Sequence, residues 1–145
     1  MPTISEFMTD HHKACDDLFI QAESSVEKEQ WDEASSTWLL CVAEIEKHFH
    51  REEDILFPEF EAITGMTQGP TQMMRIEHQQ IRDLMAEISK ACKNQNKNSF
   101  LGLSETLMVT MQQHNMKEEQ ILYPMIDGAI TSKDDTINNM IDQDG

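Results

Sequence analysis

The sequence predicts an all-α fold, an up-down-up-down four-helix bundle built from two copies of one helical hairpin. Apolar residues recur at helical spacing, and no stretch shows the alternation of a half-buried strand. Glycine and proline, the residues that most often end a helix, number only five and four and are concentrated at a few points. The chain also matches itself without a gap at an offset of 66 residues, which places His48 on His114.

The first predicted hairpin occupies roughly the first half of the chain. Its first helix begins near Thr3 or Ser5 and runs to about Glu29, and its second begins at Trp31 or Asp32. A length of about 25 residues suits a bundle helix. The second helix carries apolar residues at helical spacing, namely Leu39, Val42, Ile45, Phe49 and Leu56.

The second predicted hairpin follows a loop at residues 63–71 that contains Gly, Thr and Pro. Thr71 is a suitable N-cap for the third helix, because a threonine hydroxyl accepts a hydrogen bond from a free backbone N–H group. This helix ends in the polar segment 94–98, and the fourth spans about residues 99–126. The third helix also carries apolar residues at helical spacing: Met74, Ile81, Leu84, Met85 and Ile88.

The chain has the length of one domain with a single sizeable core. We expect residues 1–128 to form the bundle. Residues 129–145 are mostly polar, and we expect them either to add a short helix or to remain a mobile tail.

Charge and composition exclude several classes of function. Eleven basic and 27 acidic residues give a net charge of −16, which repels phosphate backbones and anionic lipids, so we expect neither nucleic-acid nor membrane partners. No apolar run is long enough to span a bilayer, and the N-terminal residues lack the pattern of a secretory signal. The three scattered cysteines indicate reduced thiols, which predicts a cytoplasmic location.

Two repeated blocks carry the candidate chemistry, HFHREEDILFP at residues 48–58 and HNMKEEQILYP at residues 114–124. Each contains the pattern H-x3-E, and residues four apart lie only about 40° apart around a helix, so each pair shares a face. The same offset places His12 on His78, one histidine on the first helix of each hairpin. Two facing hairpins therefore bring all of these residues to the centre of the bundle.

The H-x3-E pairs lie within apolar stripes and are therefore predicted to be buried. Burying an unpaired ionised group costs several kcal/mol, so a neutralising partner such as a divalent metal ion is expected. The predicted inward residues are Cys41, Ile45, His48, Glu52, Ile55 and Leu56 on the second helix and Leu107, Met111, His114, Glu118, Ile121 and Leu122 on the fourth.

Several nearby polar residues are given other roles. His11 and His50 are predicted to be surface residues, because the residues that match them in the repeat are not histidines. Asp16 and Arg82 match each other, one turn after the first-helix and third-helix histidines. Asp16 has two possible roles: it fills an open metal position, or it forms an ion pair with Arg82. We favour the ion pair. Tyr123 is a candidate hydrogen-bond donor near the site.

The predicted ligands offer nitrogen and oxygen atoms and no thiolate. Imidazole and carboxylate suit iron, manganese or zinc, whereas six protein ligands are too many for one tetrahedral zinc ion. Two six-coordinate ions, bridged by Glu52, Glu118 and an oxo or hydroxo group, fit the repeat and leave about two positions open. A small molecule such as dioxygen, nitric oxide or peroxide can bind there.

The two blocks resemble those of the hemerythrin-like (HHE cation-binding) domains, and the resemblance covers about residues 8–126. It implies a four-helix bundle that holds a non-heme di-iron centre. By this resemblance, a histidine from the first and third helices and the H-x3-E pairs of the second and fourth bind the irons. These residues are His12, His48, Glu52, His78, His114 and Glu118.

Three functions fit this pattern. The first is binding of dioxygen or nitric oxide for storage, delivery or sensing. The second is donation of iron to a protein partner, or repair of damaged iron–sulfur centres. Oxygen-carrying hemerythrins have a further histidine where this chain has Arg82, so four histidines with two glutamates look more like the di-iron proteins linked to such repair and to nitric oxide stress. The third is a di-iron peroxidase or oxidase, which we rank last because di-iron enzymes have more acids than histidines around their metals.

Overall fold

The computed structural model describes residues 2–144; Met1 and Gly145, the ends of the two predicted domain ranges, lie outside them. Its α-helices are α1 (Ile4–Glu27), α2 (Trp31–His50), α3 (Phe57–Thr64), α4 (Pro70–Lys93), α5 (Lys97–Lys117), α6 (Tyr123–Ala129) and α7 (Lys133–Asp144). Helices α1 and α4 each pack against both α2 and α5. This arrangement confirms the predicted all-α bundle of two hairpins, and residues 2–144 contain no strand.

The first helix begins where the sequence predicts. The Thr3 side chain accepts a hydrogen bond from the Glu6 backbone N–H (3.0 Å), and the Glu6 carboxylate accepts one from the Thr3 N–H (3.2 Å). Asp127 of α6 accepts two further bonds from the backbone N–H groups of Ile4 (2.9 Å) and Ser5 (3.1 Å). These contacts satisfy backbone donors that the helix itself leaves free and hold the ends of the two hairpins together.

The predicted N-cap of the third bundle helix is wrong. Gly69 is the N-cap of α4 and Pro70 is its first residue, a position that proline favours because its missing N–H is not needed there. Thr71 is instead buried, and its hydroxyl donates a hydrogen bond to Glu61 of α3 (2.6 Å). Glu61 also accepts two bonds from Arg75, at 2.6 Å and 3.2 Å.

The contacts of Glu61 predict an effect on stability that depends on pH. Arg75 and Thr71 lower the pKa of Glu61 below its ordinary value of 4.5. The stabilisation by Glu61 is therefore fully present above its ordinary pKa of 4.5. It is lost as the pH falls through the lower pKa that Glu61 has in the folded protein. We expect Glu61→Gln to lower the free energy of unfolding by about 1 kcal/mol at pH 7 and by much less at pH 3. Urea unfolding tests this, with exposed Glu105→Gln as control; an equal loss at both pH values would contradict it.

Both hairpins contain a wide π-helical turn after the H-x3-E histidine, at Arg51–Leu56 and Glu118–Leu122. The N–H of Tyr123 donates to the carbonyl of Glu118, five residues earlier. A proline follows each turn, and proline lacks an N–H group and clashes with the carbonyl four residues before it, which a wider turn relieves.

The π turns change which residues face the core. Each π turn contains one residue more than an α-helical turn. The residues after it that face the core therefore lie one position later than the 3.6-residue pattern predicts. Leu122 and Tyr123 are buried, whereas Ile121, which the helical pattern places inward, is 58% exposed. The prediction for Ile121 is therefore wrong. Leu39 also faces solvent, and Trp38 fills the core at that level of α2.

The apolar core consists of two clusters. The first lies toward the α1–α2 and α4–α5 turns and includes Phe19, Trp38 and Phe100, whose rings meet edge to face. The second lies at the other end of the bundle, around α3, α6 and α7. Along each long helix the two clusters are separated by buried histidine or glutamate residues. The polar layer therefore crosses the whole bundle.

The polar segment after residue 128 forms helix α7, one of its two expected outcomes. Ile137 and Met140 are buried in the second apolar cluster. Asp144 forms an ion pair with Arg51, and Gln143 donates a hydrogen bond to Asp54 (2.6 Å). Helix α7 thus covers the π turn that follows α2.

The cysteines agree with the prediction of reduced thiols. Cys15, Cys41 and Cys92 are buried and form no disulfide. Burial raises the pKa of Cys15 and Cys41 to about 12, so both are protonated at neutral pH. Within residues 2–144, no helix combines the length and the hydropathy that crossing a bilayer requires.

Candidate metal centre

The buried polar layer brings the six predicted ligands together. The Nε2 atom of His78 lies 3.0 Å from Oε1 of Glu52. Oε1 of Glu118 lies 3.1 Å from Nε2 of His12 and 3.3 Å from Nε2 of His114. All six side chains are at most 4% exposed: His12, His48, Glu52, His78, His114 and Glu118.

These residues form two groups, each with donor atoms within 4.8 Å of one another. The first comprises Glu52, His78, His114 and Glu118, and the second comprises His12, His48 and Glu118. Glu118 belongs to both groups, which is the arrangement expected of a carboxylate that bridges two ions. The assignment of these residues as ligands stays a prediction.

Four buried atoms of this layer have no hydrogen-bond partner within the described residues: Glu52 Oε1, His78 Nε2, His114 Nε2 and Glu118 Oε2. The 3.0 Å approach of His78 to Glu52 lacks hydrogen-bonding alignment. Leaving a buried polar atom unsatisfied costs about 1–3 kcal/mol, and more for charged groups. Four such atoms in one place, all nitrogen or oxygen donors, fit bound transition-metal ions.

The outer nitrogens of two histidines are held by carboxylates at repeat-matched positions. His12 Nδ1 lies 2.7 Å from Glu119, and His78 Nδ1 lies 2.7 Å from Glu53. A histidine that donates its Nδ1 hydrogen to a carboxylate keeps the Nε2 lone pair free for a metal. This role was not predicted from the sequence, although the second glutamate in each H-x3-E-E block is a signal for it.

The other two candidate ligand histidines also have repeat-matched partners. His114 Nδ1 lies 2.8 Å from Glu77, and His48 Nδ1 lies 3.0 Å from Nδ1 of His11. The Nε2 atom of His11 in turn lies 2.9 Å from Glu44. His11 is therefore only 9% exposed, and the prediction of a surface residue is wrong. The match of His11 with Glu77 in the repeat is a sequence signal for this buried role.

The predictions for His50 and Arg82 have different outcomes. The His50 side chain is 53% exposed, as expected of a surface residue. Arg82 does not pair with Asp16, because it faces α2 and donates two hydrogen bonds to Glu53 (both 3.0 Å) and one to Glu46 (2.9 Å). Asp16 belongs to neither group of donor atoms. Arg82 thus fixes the carboxylate that orients His78.

The two central glutamates have opposite pKa shifts. Burial and the negative charge of Glu118 raise the pKa of Glu52 to about 8. Burial alone would raise the pKa of Glu118 too, but His114 holds it well below its ordinary value. Burial would lower the pKa of His114, and the charge of Glu118 raises it to about 9. The layer therefore retains protons at neutral pH, which a bound metal ion would displace.

The hydroxyl of Tyr123 lies at the centre of the layer and donates a hydrogen bond to Oε2 of Glu52 (2.9 Å). The expected hydrogen bond near the site is therefore present. The π turn brings Tyr123 there, because it places this residue on the inward face of the helix.

A small apolar cavity lies next to the polar layer. Its lining comes from α1, α2 and α5 and includes Cys15, Asp16, Phe19, Ile45, Leu107 and Met111. Ile45 and Met111 lie one helical turn before His48 and His114. The cavity volume is about 10 Å³, which is at most room for one water molecule.

The contact between Glu119 and His12 predicts an effect on metal affinity. Removing an outer partner of a ligand histidine typically weakens metal binding about 10- to 100-fold. We expect this loss for Glu119→Ala, measured by competition with a chelator. Gln120→Ala, an exposed neighbour on the same turn, is the control and keeps the affinity of the unmodified protein. Equal affinities of the two variants would show that Glu119 does not support the site.

The chain was compared with known proteins. Residues 3–126 match the family described as the hemerythrin HHE cation binding domain. Comparisons with curated proteins and with solved structures give no significant match. The match covers most of the chain, including both repeated blocks and the buried cluster of histidine and glutamate. The chain therefore belongs to the family of hemerythrin HHE cation-binding domains.

Proposed function

We propose that this chain is a non-heme di-iron protein that binds dioxygen or nitric oxide for storage, delivery or sensing. The observation that carries the proposal is a buried cluster of histidine and glutamate donors beside a small apolar cavity. Bound iron would supply an open, redox-active coordination position for such a molecule. Manganese and zinc are compatible with the same donors.

The six buried side chains would divide between the two ions. His78, His114 and Glu52 would hold one ion, His12 and His48 the other, and the carboxylate of Glu118, which belongs to both donor groups, would lie between them. The outer partners keep each imidazole in one orientation with Nε2 directed inward. The surrounding apolar clusters exclude water, which favours a neutral diatomic ligand over an ion.

Asp16 suggests how the ligand reaches the cavity. It is half-buried and lines both the cavity and an open surface groove formed with Gln112, Asn115 and Glu119. Burial raises the pKa of Asp16, as expected of a carboxyl group partly withdrawn from water. We expect a diatomic molecule to pass this side chain on its way inward.

Replacing Asp16 tests this route and separates it from a ligand role. We expect Asp16→Ala to raise the association rate of nitric oxide several-fold, because the side chain borders both the cavity and the groove, with an unchanged iron content. Stopped-flow absorbance measures the rate, and Asp17→Ala, an exposed neighbour, is the control. A loss of iron would instead make Asp16 a ligand, and an unchanged rate would exclude the route.

The function itself is tested by anaerobic loading with ferrous iron, followed by exposure to dioxygen or nitric oxide. Two irons per chain and a visible absorption band that disappears when the gas is removed are the expected result. Irreversible oxidation with release of iron would support the alternative of iron donation or iron–sulfur repair. Multiple turnovers with peroxide would support an enzyme.

A further inference from the structure

Tyr123 occupies an unusual position, because its phenolic oxygen is surrounded by atoms of the candidate ligands. The oxygen lies 2.9 Å from Glu52 Oε2 and 3.1 Å from Glu118 Oε1. It also lies 3.1 Å from His48 Nε2 and 3.3 Å from His12 Nε2. A phenol has one hydrogen to donate, so hydrogen bonding by its own proton accounts for only one of these four contacts.

The spacing of these atoms is that of neighbouring ligands on one ion. Metal–nitrogen and metal–oxygen bonds are about 2.0–2.2 Å long, so adjacent ligand atoms of a six-coordinate ion lie about 3 Å apart. The phenolic oxygen has this separation from one donor atom each of His12, His48 and Glu118. These three residues form the second of the two donor groups.

The two donor groups differ in their number of residues, and Tyr123 contacts the smaller group. The first group contains four residues and the second only three. The residue that matches Tyr123 in the repeat is Phe57, which has no oxygen and whose ring stacks on His78 with centroids 6.0 Å apart. The half of the site with fewer donors is therefore the half that contains the phenol.

We infer that Tyr123 is a seventh protein ligand, which binds the metal ion held by His12 and His48 through its phenolate oxygen. The inference rests on the proposed metal site. On binding, the phenolic O–H bond breaks, an oxygen–metal bond forms and the proton passes to solvent, with no change in oxidation state. Tyr123 then fills the position that a symmetric site leaves open on this ion.

The test uses the fact that Tyr123 is the only tyrosine in the chain. Tyrosine with a deuterated ring, supplied during expression, therefore labels this residue alone. With ferric iron bound, we expect a visible phenolate-to-iron absorption band whose resonance Raman ring vibrations shift on deuteration. With redox-inert gallium(III) or zinc(II), we expect a near-ultraviolet difference spectrum of one ionised phenol per chain. The isotope measurement needs no substitution.

Tyr123→Phe provides the matched variant, because it removes the oxygen and keeps the ring. We expect it to lose both spectral features and to release one of the two metal ions about 100-fold more readily. If the unmodified chain binds two ions without either feature and Tyr123→Phe matches it, the inference is overturned while the metal site stands. If the unmodified chain binds no metal, the proposed function fails as well.

Discussion

We expect Glu118→Ala to release both metal ions under conditions that saturate the unmodified protein, whereas His48→Ala should release one and His50→Ala none. This graded result is expected because Glu118 belongs to both donor groups, His48 belongs to one, and His50 faces solvent. The free energy of zinc binding to a four-ligand site is roughly 10–16 kcal/mol, or about 3 kcal/mol per ligand. Each lost ligand therefore lowers the metal affinity of a site about 100-fold or more.

The measurement is the metal content per chain after gel filtration, combined with circular dichroism to show that each variant is folded. His48 and His50 are two residues apart on one helix and differ mainly in burial, which makes them a matched pair. Glu118→Gln serves as a second variant because it nearly preserves the side-chain volume. Equal metal content in His48→Ala and His50→Ala would remove the basis for the proposed site.

Adding metal to the chelator-treated protein is expected to raise its thermal midpoint by roughly 8–16 °C for each site filled. The stabilisation arises because Glu52 and Glu118 are completely buried, and atoms of both lack partners without a metal. A ligand at 1,000 times its dissociation constant stabilises the folded state by about 4 kcal/mol, and 1 kcal/mol shifts the midpoint of a chain of this size by about 2–4 °C.

Calorimetry with zinc measures this shift without redox chemistry. His50→Ala should show the same shift as the unmodified protein, and Glu118→Ala should show little or none. A shift of equal size in all three proteins would place the stabilising metal elsewhere on the chain.

The fold and the convergence of the six donor residues could be predicted from the sequence. The reason is that the histidine and the H-x3-E pattern each occur at matched positions in both halves of the chain. A single buried histidine has many explanations, but His12 and His78 occupy matched positions, as do His48 and His114. The same comparison of the two halves also contains the residues that contact the Nδ1 atoms of these histidines, because they too occupy matched positions. The prediction for His11 is wrong because its burial depends on contacts with Glu44 and His48 on the neighbouring helix, which the pattern of its own helix does not show.

Other errors have a tertiary or local geometric cause. Ile121 was misplaced because the helical pattern assumes a constant 3.6 residues per turn, which the π turn interrupts. The partner of Arg82 could not be predicted, because a long side chain can reach several carboxylates and only the packing of α4 against α2 selects Glu46 and Glu53.

The polar layer across the bundle also affects how the chain unfolds. Without metal, the two apolar clusters share little direct packing, because ionisable side chains separate them on every long helix. The end that contains α3, α6 and α7 can then open while the other end stays folded, as a separate unit of local unfolding. Ions bound between the clusters would join them, so that the bundle unfolds in one cooperative transition.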